Sequence, residues 1–196
     1  TGTVAEDGTQ TASGALTITD VDALDNPVAF ADQAATAGDN GYGSFVLSGG
    51  TWTYTLDNNA VQFLDAGQSV NDTITYTATD GSTQTITVTI NGEEDAPVIG
   101  GVITGTVAED GTQTASGALT ITDVDTLDNP VAFDDQADTA GDNGYGSFAL
   151  VGGTWTYTLD NDAVQFLDDG QSVTDTITYT ASNGTSTQTI TVTING

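Results

Sequence analysis

The segment TGTVAEDGTQTASGALTITDVD begins at Thr1 and recurs unchanged at Thr104. The register of 103 residues then holds until one extra residue enters at GTSTQT, near Thr185. A period this long exceeds a solenoid unit and suits a module that folds by itself, so the chain reads as two copies of one domain. The boundaries fall at residues 1–95 for the first repeat, 96–103 for a linker and 104–196 for the second. Between copies Ala31, Ala35, Asn59 and Ala66 become Asp134, Asp138, Asp162 and Asp169, while the apolar framework hardly changes. Surface positions drift and the core stays.

Within each copy the apolar period is two, which specifies strands. Leu16 and Ile18 alternate with Thr, as do Ile74 and Tyr76, then Ile86, Val88 and Ile90. GSFVLSGGTWTYTLD predicts a hairpin, with Phe45 and Leu47 before a Gly-Gly turn and Trp52, Tyr54 and Leu56 after it. TATDGSTQT predicts a second hairpin turning at Asp80 and Gly81, and AVQFLDAGQ has room for a helical turn. About seven short strands in about 100 residues, separated by Gly, Asp and Asn turns, predict an all-β fold: two tandem immunoglobulin-like, cadherin-like β-sandwich domains.

Charge then limits function. The 196 residues include 28 acidic and no basic side chains, for a net charge of −28. No internal Lys or Arg salt bridge can form, and nucleic acid and anionic membranes are excluded as partners. No apolar run approaches the roughly 20 residues of a membrane-spanning helix. Cys is absent, so a disulfide cannot staple the fold, and the carboxylates suggest a metal in its place. The abrupt start at Thr1 reads as a cut from a longer protein.

If strands alternate in direction from the N-terminus, Asp20 and Asp22 return to the end that holds Glu6 and Asp7. The last strand then delivers the Glu93-Glu94-Asp95 run to Glu109, Asp110, Asp123 and Asp125 of the second copy. Seven carboxylates are thereby expected to converge at one junction. Calcium suits them, since it accepts 6 to 8 oxygen ligands in flexible geometry, whereas zinc would select His or Cys. AGDNGYG, from Ala37, reads as a turn-rich connection with Asp39 as its one candidate ligand.

TVAEDG, ASGALTITDVD, GSFVLSGGTWTYTLDN, DTITYTATDG and TITVTINGEEDAPV together resemble the VCBS and cadherin-like extender repeats of very large bacterial adhesins of the RTX type, secreted by the type I pathway, including an ice-binding adhesin of a marine bacterium. The resemblance covers almost all of each copy. It implies a calcium-rigidified extracellular spacer on the bacterial cell surface, with no enzymatic activity. It also implies metal-ligand roles for Glu6, Asp20 and Asp22, for Glu109, Asp123 and Asp125, and for Glu93 and Asp95. The expected partners are neighbouring repeats of the same chain, with the molecule otherwise a monomer. Two departures stand out: Asp80 becomes Asn183, and the chain ends at Gly196 without a second EED run.

Other readings carry less. Paired carboxylates alone could serve a glycoside hydrolase, but both copies keep the same junction acids and neither adds a distinct constellation. A ligand- or carbohydrate-binding adhesion module would need exposed aromatics, whereas Trp52 and Tyr54 fall in phase with Leu56. Thr51, Thr53 and Thr55 could form a flat ice-binding face, although Thr also suits the solvent side of any strand.

Overall fold

The computed structural model describes residues 1–21 and 27–196. They divide into two compact units, Thr1–Asp95 with Val124–Leu127, and Ala96–Asp123 with Asp128–Gly196. The first unit has seven strands. They are β1 (Gly2–Ala5), β2 (Thr11–Ala15), β3 (Gln33–Ala37), β4 (Gly43–Ser48), β5 (Thr51–Leu56), β6 (Ser69–Thr77) and β7 (Thr83–Asn91). Three form one sheet in the order β1-β7-β6 and four form another in the order β2-β5-β4-β3.

Period-two patterning explains the sandwich. In β5, Trp52, Tyr54 and Leu56 are buried, and in β7, Ile86, Val88 and Ile90 are buried, so each sheet turns one apolar face to the other. Each large side chain contributes roughly 1.5–3 kcal/mol by leaving water. Phe45 and Tyr54 add a tilted ring pair with centroids 4.6 Å apart. The hairpins form as expected: β4 and β5 turn at Gly49 and Gly50, both at positive φ, and β6 and β7 turn at Asp80 and Gly81. A 3-10 turn occupies Asn58–Ala60, just ahead of most of the segment expected to hold a helical turn.

The second unit repeats this plan with one addition. Its strands are β8 (Val98–Gly101), β9 (Thr104–Ala108), β10 (Thr114–Thr122), β11 (Gln136–Ala140), β12 (Gly146–Val151), β13 (Thr154–Leu159), β14 (Ser172–Thr180) and β15 (Thr187–Asn195). The sheets run β14-β15-β9 and β11-β12-β13-β10-β8. β8 has no counterpart among the described residues of the first unit. It comes from the expected linker and lies antiparallel to β10, pairing Leu119 with Gly101 and Thr122 with Val98. Where β8 supplies a partner, β10 runs nine residues; β2, of the same sequence, stops after five.

The first strand of each unit departs from simple up-and-down alternation. β1 pairs parallel to β7, and β9 pairs parallel to β15. The acidic turn after β1 therefore lies where β7 ends, and the Glu6 N–H donates to the Asn91 carbonyl (2.9 Å). Likewise the Glu109 N–H donates to the Asn195 carbonyl (2.8 Å). These pairings settle which carboxylates meet.

Candidate metal centre

Three carboxylates meet in the first unit. Asp65, Glu94 and Asp125 each present an oxygen, and those oxygens lie within 4.8 Å of one another. Asp125 is fully buried, Asp65 is 7% exposed and Glu94 is exposed. Asp65 ends the loop after the 3-10 turn, where its N–H donates to Gln68 Oε1 (3.1 Å). Glu94 follows β7 directly. Asp125 belongs by sequence to the second repeat but sits in Val124–Leu127, which folds with the first unit. That short segment is held at the Phe63 carbonyl, which accepts from both the Thr126 N–H (3.3 Å) and its side-chain Oγ1–H (2.8 Å).

Two further acids surround the triad. The Asp95 N–H donates to Asp125 Oδ2 (2.7 Å). Glu6 is fully buried, with Gln62 Nε2 donating to its Oε1 (2.9 Å) and the Glu93 N–H donating to its Oε2 (3.3 Å). Burial pushes the Glu6 carboxyl above its ordinary pKa of 4.5. The Glu93 hydrogen bond opposes that rise, and the charges of Asp95, Asp125 and Asp7 add to it. Two unit charges 4.8 Å apart repel by about 3.5 kcal/mol at an effective dielectric near 20. With no basic residue in the chain, only a proton or a bound cation offsets that repulsion. The donor set fits calcium: all three ligand atoms are carboxylate oxygens.

The expected gathering of seven carboxylates is corrected by the parallel pairing of β1 and β9. Glu6 and Asp7 lie at the same end as Glu93, Glu94 and Asp95, not beside Asp20, because β2 carries the chain back to the opposite end. In the second unit Glu109 and Asp110 lie at the β15 end, whereas Asp123 follows Thr122, opposite the entry of β8. Glu109 and Asp110 are thus far along the unit from Asp123. Asp22 lies outside the described residues. Asp7 and Asp110 are engaged in turns at positive φ (50° and 51°). The Asp7 N–H donates to Asn58 Oδ1 (2.9 Å) and Asn58 Nδ2 donates back to Asp7 Oδ1, and Asp110 exchanges the same pair with Asn161. Asp39, the candidate in the AGDNGYG loop, accepts from Thr73 Oγ1 (2.7 Å).

Sequence reasoning missed three acids, Asp65, Asp72 and Asp175. Asp65 carries no periodic signal, since it stands in irregular chain. Asp72 does carry one: it is in phase with Ile74 and Tyr76 on the inner face of β6 and is fully buried. Its carboxylate accepts from the N–H groups of Asn40 (3.0 Å), Tyr42 (3.1 Å) and Thr73 (3.0 Å) and from Tyr54 Oη (3.1 Å). Asp175 makes the matching set with Asn143, Tyr145, Thr176 and Tyr157. These two carboxylates are saturated by donors and tie the AGDNGYG loops to the sandwich; they leave little capacity for an ion. Burial and the adjacent Asp72 or Asp175 charge raise the Tyr54 and Tyr157 hydroxyls well above the ordinary tyrosine range.

Trp52 and Tyr54, the aromatics weighed for carbohydrate stacking, are buried, as are Trp155 and Tyr157, whereas Phe63 and Phe166 are exposed. Among the described residues no helix is long and apolar enough to cross a membrane.

Several solved structures are similar to this chain at low identity. A PcdhgB3 EC1-4 structure matches at 16% identity and a TM-score of 0.48, covering 98% of this chain and 47% of that one. Protocadherin gamma B2 extracellular cadherin domains 3-6 match at 14% and 0.47, covering 98% and 44%. Human CDH23 EC21-23 matches at 15% and 0.44, covering 98% and 65%. The chain thus spans less than half the length of the first two. Among curated proteins there is no match. The model of the bacterial cadherin-like domain, by contrast, matches residues 1–92 and again residues 94–196, and the chain belongs to that family.

Proposed function

We propose that this chain is a calcium-stiffened spacer of an extracellular bacterial adhesin, a non-catalytic element that holds a binding tip away from the cell surface. The observation that carries the reading is the convergence of Asp65, Glu94 and Asp125 in a chain with no cation of its own. Calcium there would be held by these three, with Glu6 and Asp95 beside them, and would supply the positive charge that lets buried carboxylates coexist. Glu93, Asp7 and Asp123 flank this set along the chain; Asp20, Glu109 and Asp110 do not join it. The ion would also fasten Val124–Leu127, so that residues of the second repeat stay folded with the first. A spacer needs such restraint where one repeat passes to the next.

Proteolysis tests this directly. Trypsin has no site, since Lys and Arg are absent. Chymotrypsin, cutting at Phe63, and a broad-specificity protease, cutting first near 93–102, are both expected to act much faster in chelator than in millimolar calcium. Equal rates in the two conditions would sink the proposal.

A further inference from the structure

A recess of about 590 Å³ lies in the second unit between residues 119–122 of β10, residues 131–135 and the Gly152-Gly153 turn. Its walls all come from within the repeat, and neither β8 nor the chain beyond either end contributes. Leu119, Val131 and Phe133 are buried and Ile121 packs against the same core, so the recess opens onto apolar surface. The rim is acidic: exposed Asp134 and Asp135 border it, and Asp135 Oδ1 accepts from the Gly152 N–H (2.7 Å), which holds the turn in place. The first unit has the same recess at about 360 Å³, where Asp32 Oδ1 accepts from the Gly49 N–H (2.7 Å). That rim has one acid fewer, since Ala31 stands where the second repeat has Asp134.

A buried polar group belongs to the same part of the core. The inner face of β14 carries Asp175, Ile177 and Tyr179, and Ala181 follows. Tyr157 Oη donates to Asp175 at one end (3.2 Å), and Ala181 pairs with Phe133 of the recess wall at the other. Tyr179 therefore stands one step along that face from the wall, in one cluster with Leu119, Val131 and Phe133. Its hydroxyl is buried with no hydrogen-bond partner among the described residues, as is that of Tyr76 in the first unit. Burial raises the Tyr179 hydroxyl to about 12, so at neutral pH it keeps its proton and can both donate and accept. An unpaired buried hydroxyl costs stability, yet both repeats keep it. Apolar walls enclosing a few hundred Å³, with a small number of polar groups, suit a small molecule. The acidic rim, in a chain of net charge −28, selects a positive one. We propose that the recess binds a small amphiphilic cation, a hydroxyaryl-alkyl ammonium, with its ring between Leu119 and Phe133, its ammonium at Asp134 and Asp135, and its hydroxyl on Tyr179 Oη.

The probe is tyramine, titrated into the full 15N-labelled chain in buffer with millimolar calcium. The amides of Gly152, Gly153 and residues 120–122 are expected to shift together, and at lower probe concentration than those of Gly49 and Gly50, whose rim has one acid fewer. Asp134→Ala gives the second recess the rim of the first and should weaken tyramine binding there about threefold. Tyr179→Phe removes a hydroxyl that no protein group uses, so the fold should persist while tyramine affinity falls roughly fivefold. Phenethylamine, which lacks the ring hydroxyl, should bind that variant and the unsubstituted chain equally. Any of three results would overturn the proposal. The named amides could stay still at millimolar tyramine; methylammonium could move them equally, which would reduce the effect to diffuse counterion attraction; or both substitutions could leave tyramine affinity unchanged.

Discussion

Asp65 and Asp168 occupy the same place in two repeats of nearly the same sequence, yet the first is buried beside two other carboxylates and the second is exposed. Glu6 is fully buried while Glu109 is only half-buried, and β2 is shorter than β10. None of these differences comes from the positions themselves. Each follows from chain that lies outside the repeat: Glu93 to Asp95 and Val124–Leu127 cover the end of the first unit, and β8 covers an edge of the second. Internal sequence fixes the sandwich; flanking sequence completes the site.

That division has limits which mutation can expose. Asp72 and Asp175 lie inside their sandwiches, away from any flanking segment, so they should behave alike. Asp72→Ala would strand three main-chain N–H groups and the Tyr54 hydroxyl, and we expect a loss of about 3–5 kcal/mol in its unit. Asp175→Ala should do the same to the other. Gly38→Ala and Gly141→Ala should follow, since a Cβ at either would lie 2.2 to 2.3 Å from the nearest carboxylate oxygen. Thermal unfolding of the four variants checks this, and unequal losses in the two units would break the equivalence.

The second contrast should be unequal. A site bound at 100 times its Kd adds roughly 2.7 kcal/mol to the native state. Asp65→Ala should abolish most of the melting-temperature rise caused by calcium, whereas Asp168→Ala should leave it intact. Asp125→Ala should act like Asp65→Ala although it lies in the second repeat. If Asp123→Ala or Glu109→Ala proved the more damaging, the ion would sit elsewhere.

The strands were legible because burial repeats every second residue: Trp52, Tyr54 and Leu56 announce their face, and Gly49-Gly50 announces the turn. The direction of β1 was not legible. A four-residue strand fits either sheet with the same alternation, and placing it antiparallel sends Glu6 and Asp7 to the wrong end. The linker strand hid for a similar reason, since VIGG is too short to show a period. Acidity pointed to a cation, and Glu94 and Asp125 were named from it. Asp65 was not, because its place in the cluster depends on how the loop after Ala60 folds back, which no local pattern encodes.

The smallest expected effect concerns protons. Burial, with the neighbouring charges of Asp95, Asp125 and Asp7, raises the Glu6 pKa above 4.5, so the folded chain holds that proton more tightly than the unfolded chain does. In chelator, the Glu6 contribution is therefore fully present below pH 4.5 and is lost as pH rises through the elevated value. At the proposed site calcium would replace the proton as counter-charge, so its stabilising increment should shrink as pH falls through the same window. Glu6→Gln cannot ionise and should flatten the chelator profile there. Melting temperatures from pH 4 to 7, with and without calcium, would show this. A Glu6→Gln profile that coincided with that of the unsubstituted chain would mean that the flanking acids do not set the electrostatics of the first unit, and the contrast between the repeats would reduce to packing.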